Sequence, residues 1–102
     1  MINKYIKNIS IMSKSTAREY LTRLSNFQTF IHNEYAILST DDFINKIKKG
    51  VLDVYDILNG YSAYLQQNHT ISTLTLKQRI ITVKNFFEYY DVDVKVTNAL
   101  FP

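Results

Sequence analysis

The chain contains no cysteine. A disulfide framework and a thiolate metal site are therefore both excluded, and the usage fits a reducing, cytoplasmic setting. Glycine occurs twice and proline once, and that proline is the last residue. A many-turned β fold needs far more of both, so their scarcity favours helices. No run of about 18 apolar residues occurs, so no membrane span is expected. The N-terminus lacks the apolar block and small-residue cleavage site of a signal peptide. No glycine-rich loop is present to cradle a phosphate. His32 and His69 stand alone, outside any metal-ligand or catalytic-base arrangement. Asp41-Asp42 reads as the start of a helix, not as an acid/base dyad. Catalysis, a metal and a cofactor are accordingly not expected.

What remains is a 102-residue chain, a single domain by length, that is 46% hydrophobic and holds eight Tyr and six Phe. That is enough for a modest core and too apolar for a disordered segment. The net charge of +3 permits an anionic partner without demanding one.

Apolar periodicity predicts an all-α fold, a compact bundle of four to five helices. Residues 1–12 form an N-terminal arm or short helix, with Tyr5, Ile6 and Ile9 facing inward. The segment 13–34 is a long helix capped by Ser13, with Ala17, Tyr20, Leu21, Leu24, Phe27 and Ile31 as its core stripe. Ser15, Arg18, Thr22 and Asn26 fall on its other face. A short helix follows from Ser39 or Thr40 to Gly50. Asp41 and Asp42 suit its positive end, and Lys46, Lys48 and Lys49 its negative end, as a solvated terminus instead of a DNA contact. Asp53 caps the next helix, whose stripe is Val54, Leu58, Tyr61 and Leu65. Gly60 inside it marks either a close helix crossing or a weakened helix, costing about 1 kcal/mol relative to Ala. The last helix, 72–90, buries Leu76, Ile80, Val83, Phe87 and Tyr90. Lys77, Ile81, Lys84 and Glu88 run along its flank, and Arg79 points toward the stripe near the bundle edge. Residues 92–102 have too little apolar content for a core of their own and read as a linker.

The two long helices echo each other. Ser13-x-x-Thr16 opens one and Ser72-x-x-Thr75 the other, each followed by a cation, Arg18 or Lys77, and each ending in aromatics. Helix N-termini present unpaired N–H groups that attract anions. Lys14, Arg18, Lys77 and Arg79 oppose the helix dipole there, and an anionic partner resolves the conflict.

These segments resemble the N-terminal core-binding domain of tyrosine recombinases, the phage integrase family. "SKSTAREYLTRLSNFQTF" is similar to its S-x-x-T-x-x-x-Y-x-x-x-L-x-x-F opening, with Ser13, Thr16, Tyr20, Leu24 and Phe27 in place. "VYDILNGYSAYL" is similar to its middle helix. "ISTLTLKQRIITVKNFFEYY" resembles its final segment through Ser72, Thr75, Ile80, Val83, Lys84, Phe86 and Phe87. The flavour is that of archaeal and phage integrase-like members, and the resemblance spans residues 10–95. It implies a SAM-like bundle, residues 13–91, forming half of a clamp around double-stranded DNA. It also implies a DNA-associated location and other recombinase protomers on the DNA. The linker 92–102 would lead to a C-terminal catalytic domain of the same parent chain. The catalytic constellation of that domain does not occur here, so this part of the protein would not cleave DNA. By position, Lys77, Gln78 and Arg79 are the expected groove-facing residues, Thr75 a further DNA-binding residue and Lys84 a backbone contact. Ser13, Lys14, Ser15 and Arg18 are their counterparts on the other long helix. Leu76-Lys77-Gln78-Arg79 is less basic than in many relatives, which implies weak, salt-sensitive binding. The competing expectation is a helical protein-interaction module, SAM-type or death-fold-like, binding through Tyr61, Tyr64 and Tyr89.

Overall fold

The computed structural model describes residues 2–37, 39–68 and 70–94. His69 and residues 95–102 lie outside them. Five helices follow one another among the described residues: α1 (Ile2–Met12), α2 (Lys14–Tyr35), α3 (Thr40–Lys48), α4 (Val54–Asn68) and α5 (Thr73–Tyr89). The all-α bundle expected from periodicity is what forms, with five members.

Each boundary has a local cause. Ser13, Ser39 and Ser72 sit in extended backbone and accept a hydrogen bond from the N–H three residues on. Asp53 Oδ1 accepts from the N–H groups of Tyr55 and Asp56, at 2.8 and 3.4 Å. These side chains satisfy donors that a helix start leaves unpaired. Helix α3 ends at Gly50, whose φ of 76° suits a residue without Cβ. There Gly50 N–H donates to Ile47 O and Val51 N–H to Lys46 O, the paired bonds of a Schellman stop.

Helix α5 stops in the same way. Asp91 takes φ 66°, its N–H donates to Glu88 O, and Val92 N–H donates to Phe87 O. The turn swings the chain back, so Val92 and Val94 are buried. Packing therefore continues past residue 91, where the linker was expected to begin. Two valines need no core of their own when a helix stop aims them at an existing one.

The centre of the bundle is aromatic. Phe27 meets Phe43, Tyr61 and Phe87 edge to face, with ring centroids 5.8, 5.0 and 5.8 Å apart. Leu24, Ile31, Ile44, Ile57, Leu58, Leu65, Ile80 and Val83 complete it, all fully or almost fully buried. The segment 2–12 is a helix of this bundle, not a free arm: Ile2 and Tyr5 are buried, and Tyr5 packs on Tyr20, Phe86 and Tyr89.

On α2 the buried stripe is rotated from the expected one. Leu21 is 40% exposed, whereas Phe30 is buried. On α5, Thr82 and Phe86 join the stripe, and Tyr90 is only half-buried. The added residues each meet a different neighbour: Phe30 packs on Tyr61 and Tyr64 of α4, Phe86 on Tyr5 of α1, and Thr82 on Arg23 of α2.

Candidate nucleic-acid interface

Helices α2 and α5 meet along a polar seam. Asn85 Nδ2 donates to the Tyr20 hydroxyl at 3.1 Å. Arg23 Nη1 donates to Thr82 Oγ1, also at 3.1 Å. Asn26 and Arg79 line the same cleft. Along this series α2 advances by three residues at each step while α5 retreats by three. The two helices therefore run antiparallel.

That register decides where the expected site residues lie. Carried along the pair, it sets Ser72 level with Asn33, about 20 residues and so roughly 30 Å along α2 from Ser13 at the helical rise. The molecule measures 34 × 33 × 24 Å, so the two helix starts occupy opposite ends. They do not form one patch.

At one end, Ser13 Oγ accepts from Thr16 N–H at 3.3 Å, and the Ser15 hydroxyl lies 3.3 Å from it. Lys14, Ser15 and Arg18 are exposed. Neither Lys14 nor Arg18 pairs with a carboxylate among the described residues. At the other end, Ser72 Oγ accepts from Thr75 N–H and donates to Thr75 Oγ1 at 2.9 Å, so both hydroxyls are engaged in the cap. Lys77 and Gln78 are exposed there.

On both helices the seam lies about a quarter turn from the core stripe, at 100° per residue. The outward face opposite the core then carries Ser15, Arg18, Thr22 and Asn26 of α2 with Leu74, Lys77, Gln78 and Ile81 of α5. All of these are exposed. The capped starts border this face, one at each end.

Lys84, the expected backbone contact, is already paired within its own helix. Its ammonium lies 2.7 Å from Glu88 of the next turn, with the side chain only 25% exposed. The pair uses the charge within α5. Lys46 likewise pairs with Asp42 at 3.2 Å, in keeping with a solvated helix face.

Arg79 is half-buried at the bundle edge, as its spacing suggests. Its guanidinium lies beside the Tyr61 hydroxyl, although that oxygen has no partner in good hydrogen-bond geometry. Burial pushes Tyr61 up to about 12, and the neighbouring Arg79 charge pulls against it. The hydroxyl does not reach the surface: Tyr61 is 0% exposed and Tyr64 half-buried, while Tyr89 is 40% exposed. Tyr61 is therefore closed to any protein partner, and Tyr89 offers the most exposed ring of the three.

The residue that sequence reasoning missed is Arg23. Besides Thr82, it reaches Glu19 at 3.6 Å and covers the Tyr20 ring at 5.8 Å. On the helical wheel it is one more cation at the edge of the stripe, and nothing local marks it.

Among the described residues no group of three or more His, Asp or Glu could hold a metal, and no helix is long and apolar enough to cross a membrane. Compared with family models, with curated proteins and with solved structures, the chain matches none.

Proposed function

We propose that this bundle binds double-stranded DNA along the outward α2/α5 face, as the clamp domain of a site-specific tyrosine recombinase. One observation carries the reading. Two serine-capped helix starts, each followed by an exposed cation, border one exposed face at its opposite ends, with the caps roughly 30 Å apart by helical rise. One turn of B-DNA is about 34 Å. Two such starts are therefore spaced to meet the phosphate backbone at successive crossings of one groove.

The chemistry at each start suits a phosphate. Backbone N–H groups at a helix N-terminus carry partial positive charge. Lys14 and Arg18 at one start, and Lys77 at the other, add full charges that oppose the dipole unless an anion is present. Gln78, Asn26 and Thr22 between the ends supply neutral donors and acceptors suited to base edges. Phosphate contacts fix register, and such amide and hydroxyl groups carry any sequence preference. In this reading strand cleavage belongs to a catalytic domain elsewhere in the parent chain, and partner protomers assemble on the same DNA.

The test is a salt titration of duplex affinity. Arg18→Gln and Lys77→Gln should each lower the magnitude of the slope of log K against log salt by about 1. The two losses should add, because the sites are far apart. Slopes unchanged from the parent chain in both variants would discard the reading.

A further inference from the structure

We infer that the cleft between α2, α4 and α5 is an oxyanion site that holds one phosphate group, with Arg79 as its charged ligand. The cleft has a volume of about 220 Å³ and is lined by Asn26 and Thr29 of α2, Tyr61, Tyr64 and Leu65 of α4, and Arg79 of α5.

Three features select an anion. No Asp or Glu lines the cleft, so Arg79 gives it a net positive charge. The rings of Tyr61 and Tyr64 and the Leu65 side chain form an apolar floor, which strengthens any charge interaction above it. The Tyr61 hydroxyl is buried, and Arg79, which can only donate, lies beside its oxygen without good hydrogen-bond geometry, so its proton has no acceptor although the residue lines the cleft. A buried O–H without an acceptor is unfavourable. An anionic oxygen seated beside Arg79 accepts that proton and answers the guanidinium charge at once. The Asn26 amide adds a donor from the exposed wall. Thr29 already gives its hydroxyl proton to the Ser25 carbonyl at 3.2 Å and serves only as wall.

The donors approach from three separate helices and so from different directions. That arrangement suits a tetrahedral phosphate better than a planar carboxylate. The phosphate could belong to free inorganic phosphate or to a DNA backbone. The second source rests on the DNA-binding reading above, and the first does not.

The experiment is an NMR titration of the chain, following the Asn26 side-chain amide and Arg79 Nε–H at constant ionic strength. Inorganic phosphate is added first, then a short duplex in a separate sample, with acetate as the planar control. We expect saturable shifts at both groups with at least one phosphate probe. Arg79→Gln should abolish them, and Tyr61→Phe should weaken binding several-fold. A response to inorganic phosphate establishes a free-anion site; a response to duplex alone establishes a backbone contact. Acetate binding as tightly as phosphate would overturn the tetrahedral assignment. Silence at Asn26 and Arg79 with both phosphate probes, or shifts that survive intact in Arg79→Gln, would overturn the site. Duplex-induced shifts at Arg18 and Lys77 without any at Asn26 and Arg79 would remove the cleft and leave the DNA reading standing.

Discussion

Arg23 holds three partners that lie far apart in chemistry: the Thr82 hydroxyl, the Glu19 carboxylate and the Tyr20 ring. Thr82 is fully buried and passes its own proton to the Gln78 carbonyl at 2.7 Å. Its oxygen thus depends on Arg23 for an incoming hydrogen bond. Arg23→Ala removes a charge-assisted bond at the middle of the α2/α5 seam and should destabilise the fold by about 1–2 kcal/mol. Chemical denaturation would measure this, and a loss below the error of the method would show that the seam is held by apolar packing alone. None of this was legible in sequence. The helical wheel places Arg23 on a stripe edge, but its partner Thr82 is on another helix, and only the register brings them together. Tyr61 is a parallel case. Its spacing marks it as a core residue, which it is, but spacing cannot tell whether a hydroxyl ends in water or in a closed interior.

At the scale of elements, local rules carried most of the prediction. Ser13, Ser39, Asp53 and Ser72 cap because a side-chain acceptor within three residues of an N–H is an interaction within one turn. Gly50 stops α3 for an equally local reason. Gly60 sits close to its neighbours: a Cβ there would lie 3.4 Å from the Tyr35 hydroxyl and 3.7 Å from Phe30 Cζ. The approach is close, yet still ordinary contact. The glycine is in a helix with an ordinary helical conformation. Gly60→Ala should therefore stabilise the protein, by up to about 1 kcal/mol from helix propensity. A raised midpoint in thermal unfolding would confirm it, and a lowered one would mean that the added methyl crowds the Tyr35 hydroxyl. The stripes of α2 and α5 were predicted about right but rotated. Periodicity finds that a helix has an apolar face; which flank a neighbour covers depends on the neighbour.

Across the whole molecule, two buried tyrosines tie stability to alkaline pH. Tyr5 joins α1 to α5, and Tyr61 joins α4 to α2. Each is pushed up from 10.0 to about 12, by burial first. Nearby Tyr20 and Tyr89 add to the rise at Tyr5, and Arg79 opposes it at Tyr61. The folded state then keeps protons that the unfolded chain has released. The stabilisation is fully present below pH 10 and is lost as pH climbs from about 10 through 12. Denaturant midpoints measured from pH 8 to 11.5 should be flat at first and then fall, with a smaller fall in Tyr61→Phe. A flat series throughout would mean that the rings are reached by water.

The sequence by itself determined the helices, their caps, the existence of an apolar face on each and the hydroxyl-cation make-up of the two long helix starts. Each of these is set by interactions within about one turn of chain, which spacing records. Only the tertiary structure decided that α2 and α5 run antiparallel, and so that the two starts stand at opposite ends of one face. It also drew Val92 and Val94 into the core, paired Arg23 with Thr82, and left the buried Tyr61 hydroxyl beside Arg79 at the wall of a cleft. Those outcomes depend on which flanks meet when five amphipathic helices share one aromatic centre, and that choice minimises exposed apolar area for the bundle as a whole. No local pattern of residues encodes it.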